Sequence, residues 1–461
     1  MSNKSEYSYE YTHILKKDKN CVEKADKFCE DYKNFMNSAK TERECVKYII
    51  SHAKNYVEFE KNKIKSIKPY DKFYINNRDK SVVLITIGEE PLDNGFNFVV
   101  SHIDSPRLDL KPNPVFENEE ICYFHTHYYG GIKKYQWPTI PLSMHGRIFK
   151  EDGSYVDVNF GEKDDEPRFI ITDLLPHLAK EQENRTLREG IKGEELNIVI
   201  GSIPKDFEDD KVKEAVKTNT LKILYDTFGI TEKDFARAEI EFVPAFKAYD
   251  IGFDRSLIAA YGQDDRVCAY PALMAELENV KPKKTSITVF TDKEEIGSEG
   301  NTGMVSEFLF DIVEDLCDIA GVKARDCYRK SICLSSDVNS AYDPTFSDVF
   351  EKMNSSYINR GVVLTKYTGH GGKSGSNDAS AETMAKVIKL MDKEKVVWQI
   401  GELGKVDIGG GGTIAKYMSQ RNVDTIDVGV AVLSMHSPYE LTSKLDIYHT
   451  YLAYKAFLLN E

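Results

Sequence analysis

Residues 285–300, TSITVFTDKEEIGSEG, constrain this chain more than any other stretch. Ser286-Ile287-Thr288-Val289-Phe290 is β-branched and apolar, the length of one buried strand, and it runs directly into the acidic turn Asp292-Lys293-Glu294-Glu295, with Gly297 behind it. In α/β proteins function collects at the ends of such strands. Two adjacent carboxylates leaving a strand point in different directions, so one can ligate a metal while its neighbour faces a metal-bound water as general base. Taken alone, the stretch is equally an exposed acidic turn. The rest of the chain has to decide.

Three further apolar runs end the same way. Phe96 to Ser101 (FNFVVS) leads into His102-Ile103-Asp104-Ser105-Pro106, Ser331 to Ser336 into Asp337, and Val428 to Ser434 into Met435-His436-Ser437-Pro438-Tyr439-Glu440. His102 and Asp104 have the spacing of a ligating imidazole steered by a carboxylate, although a lone H-x-D also occurs where a histidine is simply hydrogen-bonded. Gln263-Asp264-Asp265-Arg266 opens an apolar run that reads as a helix despite Pro271. A carboxylate at that helix mouth is an N-cap or a bridge between two cations. Counted together, His102, Asp264, Glu295, Asp337 and His436 give two imidazoles and three carboxylates. A structural zinc would take four ligands, mostly Cys and His, whereas this mixture suits two zinc-like ions sharing one carboxylate. Glu294 is then the spare carboxylate, placed to take a proton.

Composition narrows the class. A chain of 461 residues, 41% apolar and 30% charged, is expected to form a soluble globular protein of two domains. No apolar run reaches membrane-spanning length, and the polar start MSNKSEYSYEYTHILKKDKN lacks the apolar segment of a signal peptide. Eight scattered cysteines without a C-x-x-C pair fit reduced thiols in a cytoplasm. A net charge of −14 argues against nucleic acid as a partner.

Residues 22–60 carry helical periodicity, with Phe28, Tyr32, Phe35, Val46, Ile49, Ile50 and Ala53 facing a core; Tyr70 to Ile87 reads as two strands around Asn76-Asn77-Arg78-Asp79. From Leu108 to Val243 short alternating segments suggest antiparallel β structure, with charged helical material between 205 and 237. His125, His127 and His145 fall in this region and read as structural. Residues 1–106 and 245–461 are thus expected to form the catalytic domain and 107–244 an inserted β-rich domain. Two glycine-rich segments, 368–379 and 409–413, are either tight loops or places where backbone approaches a bound peptide; the first contains Gly-Lys-Ser without the spacing of a phosphate loop.

SHIDSP, HYYGG, QDDRVCAYPAL, DKEEIGS, SSDVNSAYDP and LSMHSPYE, in this order and across most of the chain, resemble the aspartyl aminopeptidase family of di-zinc metallopeptidases, metallopeptidase family eighteen. The chain is most similar to its bacterial branch, with Gln-Asp-Asp-Arg where other members have Leu-Asp-Asn. The resemblance implies an α/β catalytic domain, a mixed sheet flanked by helices, and an inserted β-rich dimerisation domain. It implies an aminopeptidase that removes N-terminal residues from peptides, Asp and Glu among the candidates, by metal-hydroxide attack. It also implies two zinc ions per subunit, with cobalt or manganese as substitutes, and dimers assembled into a tetrahedral dodecamer. Carried over residue by residue, His102 and Asp337 hold one metal, Glu295 and His436 the other, and Asp264 bridges, chosen over Asp265 by motif register. Asp104 orients His102, and Glu294 is the base. Lys373 is implied in the pocket for the substrate's first side chain. His177, a plain turn residue by composition, is implied to reach across the dimer into the neighbouring site; Asp173-Leu174-Leu175-Pro176-His177 keeps only this one of the two histidines other members carry. A di-zinc amide hydrolase such as a deacylase is the alternative activity. A noncatalytic cage protein is a third reading, opposed by the intact Glu294 and ligand set.

Overall fold

The computed structural model describes residues 7–205 and 213–460. They fall into two compact units: one holds the chain up to Asp104, Ala248–Met435 and the chain from Glu440, the other holds Ser105–Lys247 and His436–Tyr439.

A nine-stranded sheet organises the first unit. Its order is Val57–Glu58, Lys72–Asn77, Ser81–Thr86, Thr285–Thr291, Phe96–His102, Ile332–Ser335, Asp424–Gly429, Val362–Thr365 and Trp398–Ile400. The four strands from Thr285–Thr291 to Asp424–Gly429 are mutually parallel, while Ser81–Thr86 and Val362–Thr365 pair antiparallel on either side of them. The sheet is therefore mixed. Strand alternation sends Leu84, Val99, Phe290, Leu334 and Ile426 to one face and Val83, Phe98, Val100, Val289 and Cys333 to the other. Each face is buried, as parallel strands require, so the central strands read as continuous apolar runs. Over the first face lie the helices Cys21–Ser38, Glu42–His52, Gln263–Glu278, Ala381–Lys393 and Lys444–Asn460. Phe308–Ala320, Ala324–Tyr328 and Ala415–Ser419 cover the second.

The N-terminal periodicity is realised as two helices. Tyr32, Phe35, Val46, Ile49 and Ala53 are buried in the core, and Phe28 and Ile50 pack against it partly buried. A capping box starts the second helix, with Thr41 accepting from the Glu44 N–H and the Glu44 carboxylate accepting from the Thr41 N–H.

The run 428–434, expected as one strand, is divided between two sheets. Asp424–Gly429 belongs to the nine-stranded sheet, while Ala431–Leu433 joins a five-stranded sheet of order Tyr249–Ile251, Leu257–Ala260, Glu440–Ser443, Ala431–Leu433, Asn339–Ser340. The break falls where the backbone passes the Asp337 carbonyl so closely that a Cβ on Gly429 would lie 1.8 Å from that oxygen. Past it, the Val430 carbonyl accepts from the Asn339 N–H.

The second unit is built on a seven-stranded antiparallel sheet, in order Tyr155–Phe160, Leu142–Phe149, Ala238–Pro244, Arg107–Asn118, Ile121–Tyr129, Ile198–Gly201, Ile170–Ile171. Phe124, Ile240, Phe242 and Trp137 are buried in it. Of the charged stretch 205–237, Ala215–Phe228 is an α-helix and Glu232–Arg237 a 3-10 helix; residues 206–212 lie outside the described residues. Among the described residues no helix is long and apolar enough to cross a membrane, and all eight cysteines are free and buried.

Candidate metal centre

Three neighbouring parallel strands deliver their C-terminal ends to one place. His102 is the last residue of its strand and pairs in register with Thr291, the last residue of the strand preceding the Glu294–Ile296 turn; Asp337 follows Ser335 on the other side. Glu294 and Glu295 lie in a turn, as the sequence suggested. They open a 3-10 turn entered through Lys293 at φ 68°.

Asp104 ties this turn to His102. Its carboxylate accepts from the backbone N–H of Glu294 at 3.1 Å and of Glu295 at 3.2 Å. The His102 ring donates from Nδ1 to the Asp104 carbonyl at 3.0 Å, with the Asp104 carboxylate 3.3 Å away. That bond places the ring's basic nitrogen, Nε2, toward Asp264, whose Oδ1 is 3.1 Å distant. Asp337 Oδ1 stands 3.9 Å and Glu294 Oε2 4.0 Å from the same nitrogen.

Asp264 is held from the other side. The helix Gln263–Glu278 has Gly262 at its N-cap and non-helical backbone at Asp264, which sits past the cap position. The Asp264 N–H donates to Glu440 Oε2 at 3.0 Å, while Gln263 donates to the Glu440 carbonyl at 2.7 Å and accepts from the Tyr32 hydroxyl at 3.0 Å. Glu440 is the residue that sequence reasoning passed over; its only signal was its place four residues after His436.

Ligand atoms of His102, Asp264 and Glu295 lie within 4.8 Å of one another, as do those of His102, Asp265 and Asp337. His102, Asp264 and Asp265 are buried, and Asp337 and Glu295 partly so. Burial, followed by the negative charge of Asp265, pushes the Asp337 carboxyl well up, and burial does the same to Asp265. For His102 burial alone would depress the imidazole, but its bonds with Asp104 and Asp264 and the charges of Asp104 and Glu294 hold it well above the ordinary histidine range. So many buried anions around one imidazole call for a cation, and nitrogen plus carboxylate oxygen is a donor set that suits zinc. Asp264 belongs to the first of these groups and Asp265 to the second, with His102 common to both.

A third group, Asp18, Cys21 and His449, does not fit a metal. Val397 N–H donates to His449 Nδ1 at 3.2 Å, so the neutral ring carries its proton on Nε2 and has no lone pair there to offer. Burial pushes this histidine down to about 4 and the Cys21 thiol up. The group is core packing.

His436 sits in a turn of the second unit at φ 63°, its Nδ1 donating to the Gly131 carbonyl at 2.9 Å, which again leaves Nε2 as the basic atom. His177 is exposed in the Pro176–Leu178 turn, with Leu174, Leu175 and Leu178 exposed around it. Lys373 is on an exposed loop, where its contacts are Asp378 at 2.9 Å and the Tyr367 ring at 3.8 Å, not the buried cluster. His145 is buried against Ser143 and Glu162, His125 bonds Asn197 and stacks on Phe116, and His127 bonds the Tyr128 carbonyl; all three are structural.

A family model described as Aminopeptidase I zinc metalloprotease (M18) matches residues 35–458. The chain belongs to the M18 aminopeptidase family. It is 50% identical over 437 residues to a probable M18 family aminopeptidase 1 of Clostridium acetobutylicum, covering 93% of this chain and 94% of that one. The crystal structure of an M18 aminopeptidase from Thermotoga maritima matches with a TM-score of 0.93 at 44% identity, over 98% of this chain and all of that one. The S. cerevisiae mApe1 dodecamer shares the fold at 22% identity with a TM-score of 0.74, over 94% of this chain and 97% of that one. This M18 chain is accordingly a zinc-dependent aminopeptidase that removes N-terminal residues from peptides.

Proposed function

We propose that this aminopeptidase works with two zinc ions, His102 and Asp337 holding one, Glu295 and His436 the other, and Asp264 shared between them. The observation that carries this reading is the convergence of His102, Glu295 and Asp337 at or just beyond adjacent strand ends with Asp264 from the start of the helix Gln263–Glu278, and with a further carboxylate, Glu294, 4.0 Å from His102 Nε2. Zinc bound there supplies a water of lowered pKa and a Lewis acid for the scissile carbonyl. The chain's own residues do the rest. Glu294, whose side chain is 18% exposed, takes the proton from the attacking water and returns it to the leaving nitrogen. Asp104 is a positioning residue, holding His102 in one tautomer and the Glu294 turn in place. Glu440 and Gln263 fix the backbone from which Asp264 projects.

Lys373 is our candidate for the pocket of the first side chain, which would favour Asp- or Glu-led peptides. His177 belongs to a dimer contact through residues 107–244, where it donates to the developing oxyanion of the partner's site. The dodecamer of the yeast relative suggests the same assembly here, with dimers as building blocks in a tetrahedral shell. A cytoplasmic site of action is consistent with eight free, buried thiols.

A panel of aminoacyl and N-acetyl-aminoacyl substrates, measured before and after chelation, tests the activity. Cleavage confined to free-amine substrates, lost with chelator and restored by zinc, is expected. Cleavage of the N-acetyl series at similar rates would make the enzyme a deacylase.

A further inference from the structure

The two glycine-rich loops are joined to each other. Gly369 N–H donates to the Gly411 carbonyl at 2.6 Å, and a Cβ on Gly410 would lie 1.8 Å from the Gly369 oxygen. From the second loop the chain enters the helix Ala415–Ser419, whose Tyr417 hydroxyl donates at 2.9 Å to the carbonyl of Gly297, the residue that ends the Glu294–Ile296 turn. One backbone hydrogen bond and one from a tyrosine side chain therefore connect the loop bearing Lys373, through the chain between them, to the turn that carries Glu294 and Glu295.

Charge on this loop is matched internally. Asp378 takes both cations, Lys366 Nζ at 2.5 Å on Oδ1 and Lys373 Nζ at 2.9 Å on Oδ2. Beneath Lys373, 3.8 Å from its Nζ, is the ring of Tyr367, whose hydroxyl donates to Glu402. Two lysines thus share one carboxylate, Asp378. A substrate carboxylate that approaches Lys373 competes with Asp378 for the ammonium and meets that carboxylate as a like charge.

We propose that Asp378 is a specificity-determining residue that occupies Lys373 and so holds down this enzyme's selectivity for acidic first residues. The proposal rests on Lys373 lining the first-residue pocket. The pair is 43% and 45% exposed, so the exchange is accessible. Exposed ion pairs of this kind are worth a factor of about five at most, which is the scale on which Asp378 competes.

The test compares kcat/KM for Glu-, Asp- and Leu-led chromogenic amides in the zinc enzyme, in Asp378→Asn, in Asp378→Ser, in Lys373→Ala and in the double variant Asp378→Asn/Lys373→Ala. Thermal melts confirm that each is folded. Asp378→Asn and Asp378→Ser are both expected to raise the acidic-to-leucine ratio, about threefold to fivefold. The double variant should lose that gain. An unchanged or lower ratio in both Asp378 variants, with Lys373→Ala still selectively impaired on acidic peptides, overturns the proposal and leaves Lys373 in the pocket. Equal losses on all substrates in Lys373→Ala overturn both.

Discussion

One residue, Asp104, serves two parts of the chain, its backbone carbonyl accepting from the His102 ring, with its carboxylate 3.3 Å away, and that carboxylate accepting from the backbone N–H of Glu294, 190 positions on. The H-x-D spacing made the first contact legible, because a residue two places beyond a strand end can return to the same side. The second was invisible: it depends on the pairing of two parallel strands in the register His102 to Thr291. An amide in place of this carboxylate keeps one acceptor and turns a donor toward a backbone N–H. Asp104→Asn is therefore expected to weaken zinc binding by about 10- to 100-fold, as losses of partners to ligating histidines typically do. Competition with a chromogenic chelator reads this directly; unchanged affinity would mean that strand geometry alone holds His102. The glutamate pair was legible as two carboxylates with separate tasks. Their turn was legible too, but not its entry through a left-handed Lys293 at φ 68°.

Elements were legible wherever one period dominated. The stretch 22–60 carries helical spacing and is built as helices as far as His52, with residues 57–58 a short strand, while Ser286–Phe290 and Phe96–Ser101 are β-branched and apolar runs of strand length and are built as strands. The run 428–434 is apolar throughout, so nothing in its pattern marks the point at which it changes sheets; that point is a close approach to Asp337 made by another strand. The helix Lys444–Asn460 offers a test of element-level packing. Its His449 is fully buried and pushed down to about 4, so between that value and its unfolded value near 6.5 the unfolded chain binds a proton that the folded one refuses. Stability from this group is complete above about pH 6.5 and is lost as pH falls toward 4, by up to about 3 kcal/mol. His449→Gln should flatten the dependence of melting temperature on pH across that window. Parallel curves for the two proteins would show that His449 does not titrate there.

At the scale of the whole molecule, the exposed leucines around His177 and the incomplete legibility of its role belong together. A histidine after a proline reads as a turn, which is where the structure has it, and its proposed role needs a partner subunit. If each site borrows His177 from its partner, mixing Glu294→Gln with His177→Ala protomers restores up to about a quarter of wild-type turnover, since one site of each mixed dimer is whole. No recovery in dimers shown to be mixed would confine His177 to its own chain. The central claim is that a pair of zinc ions is held by residues other than the base. It is tested most directly by counting zinc per chain, by plasma mass spectrometry, in wild type and Glu294→Gln samples whose peptide turnover is measured on the same day. Two zinc ions per chain in both, with turnover in the variant lower by about 10²- to 10⁴-fold, is the predicted result. A single zinc in the wild type, or zinc lost together with activity in the variant, would contradict it.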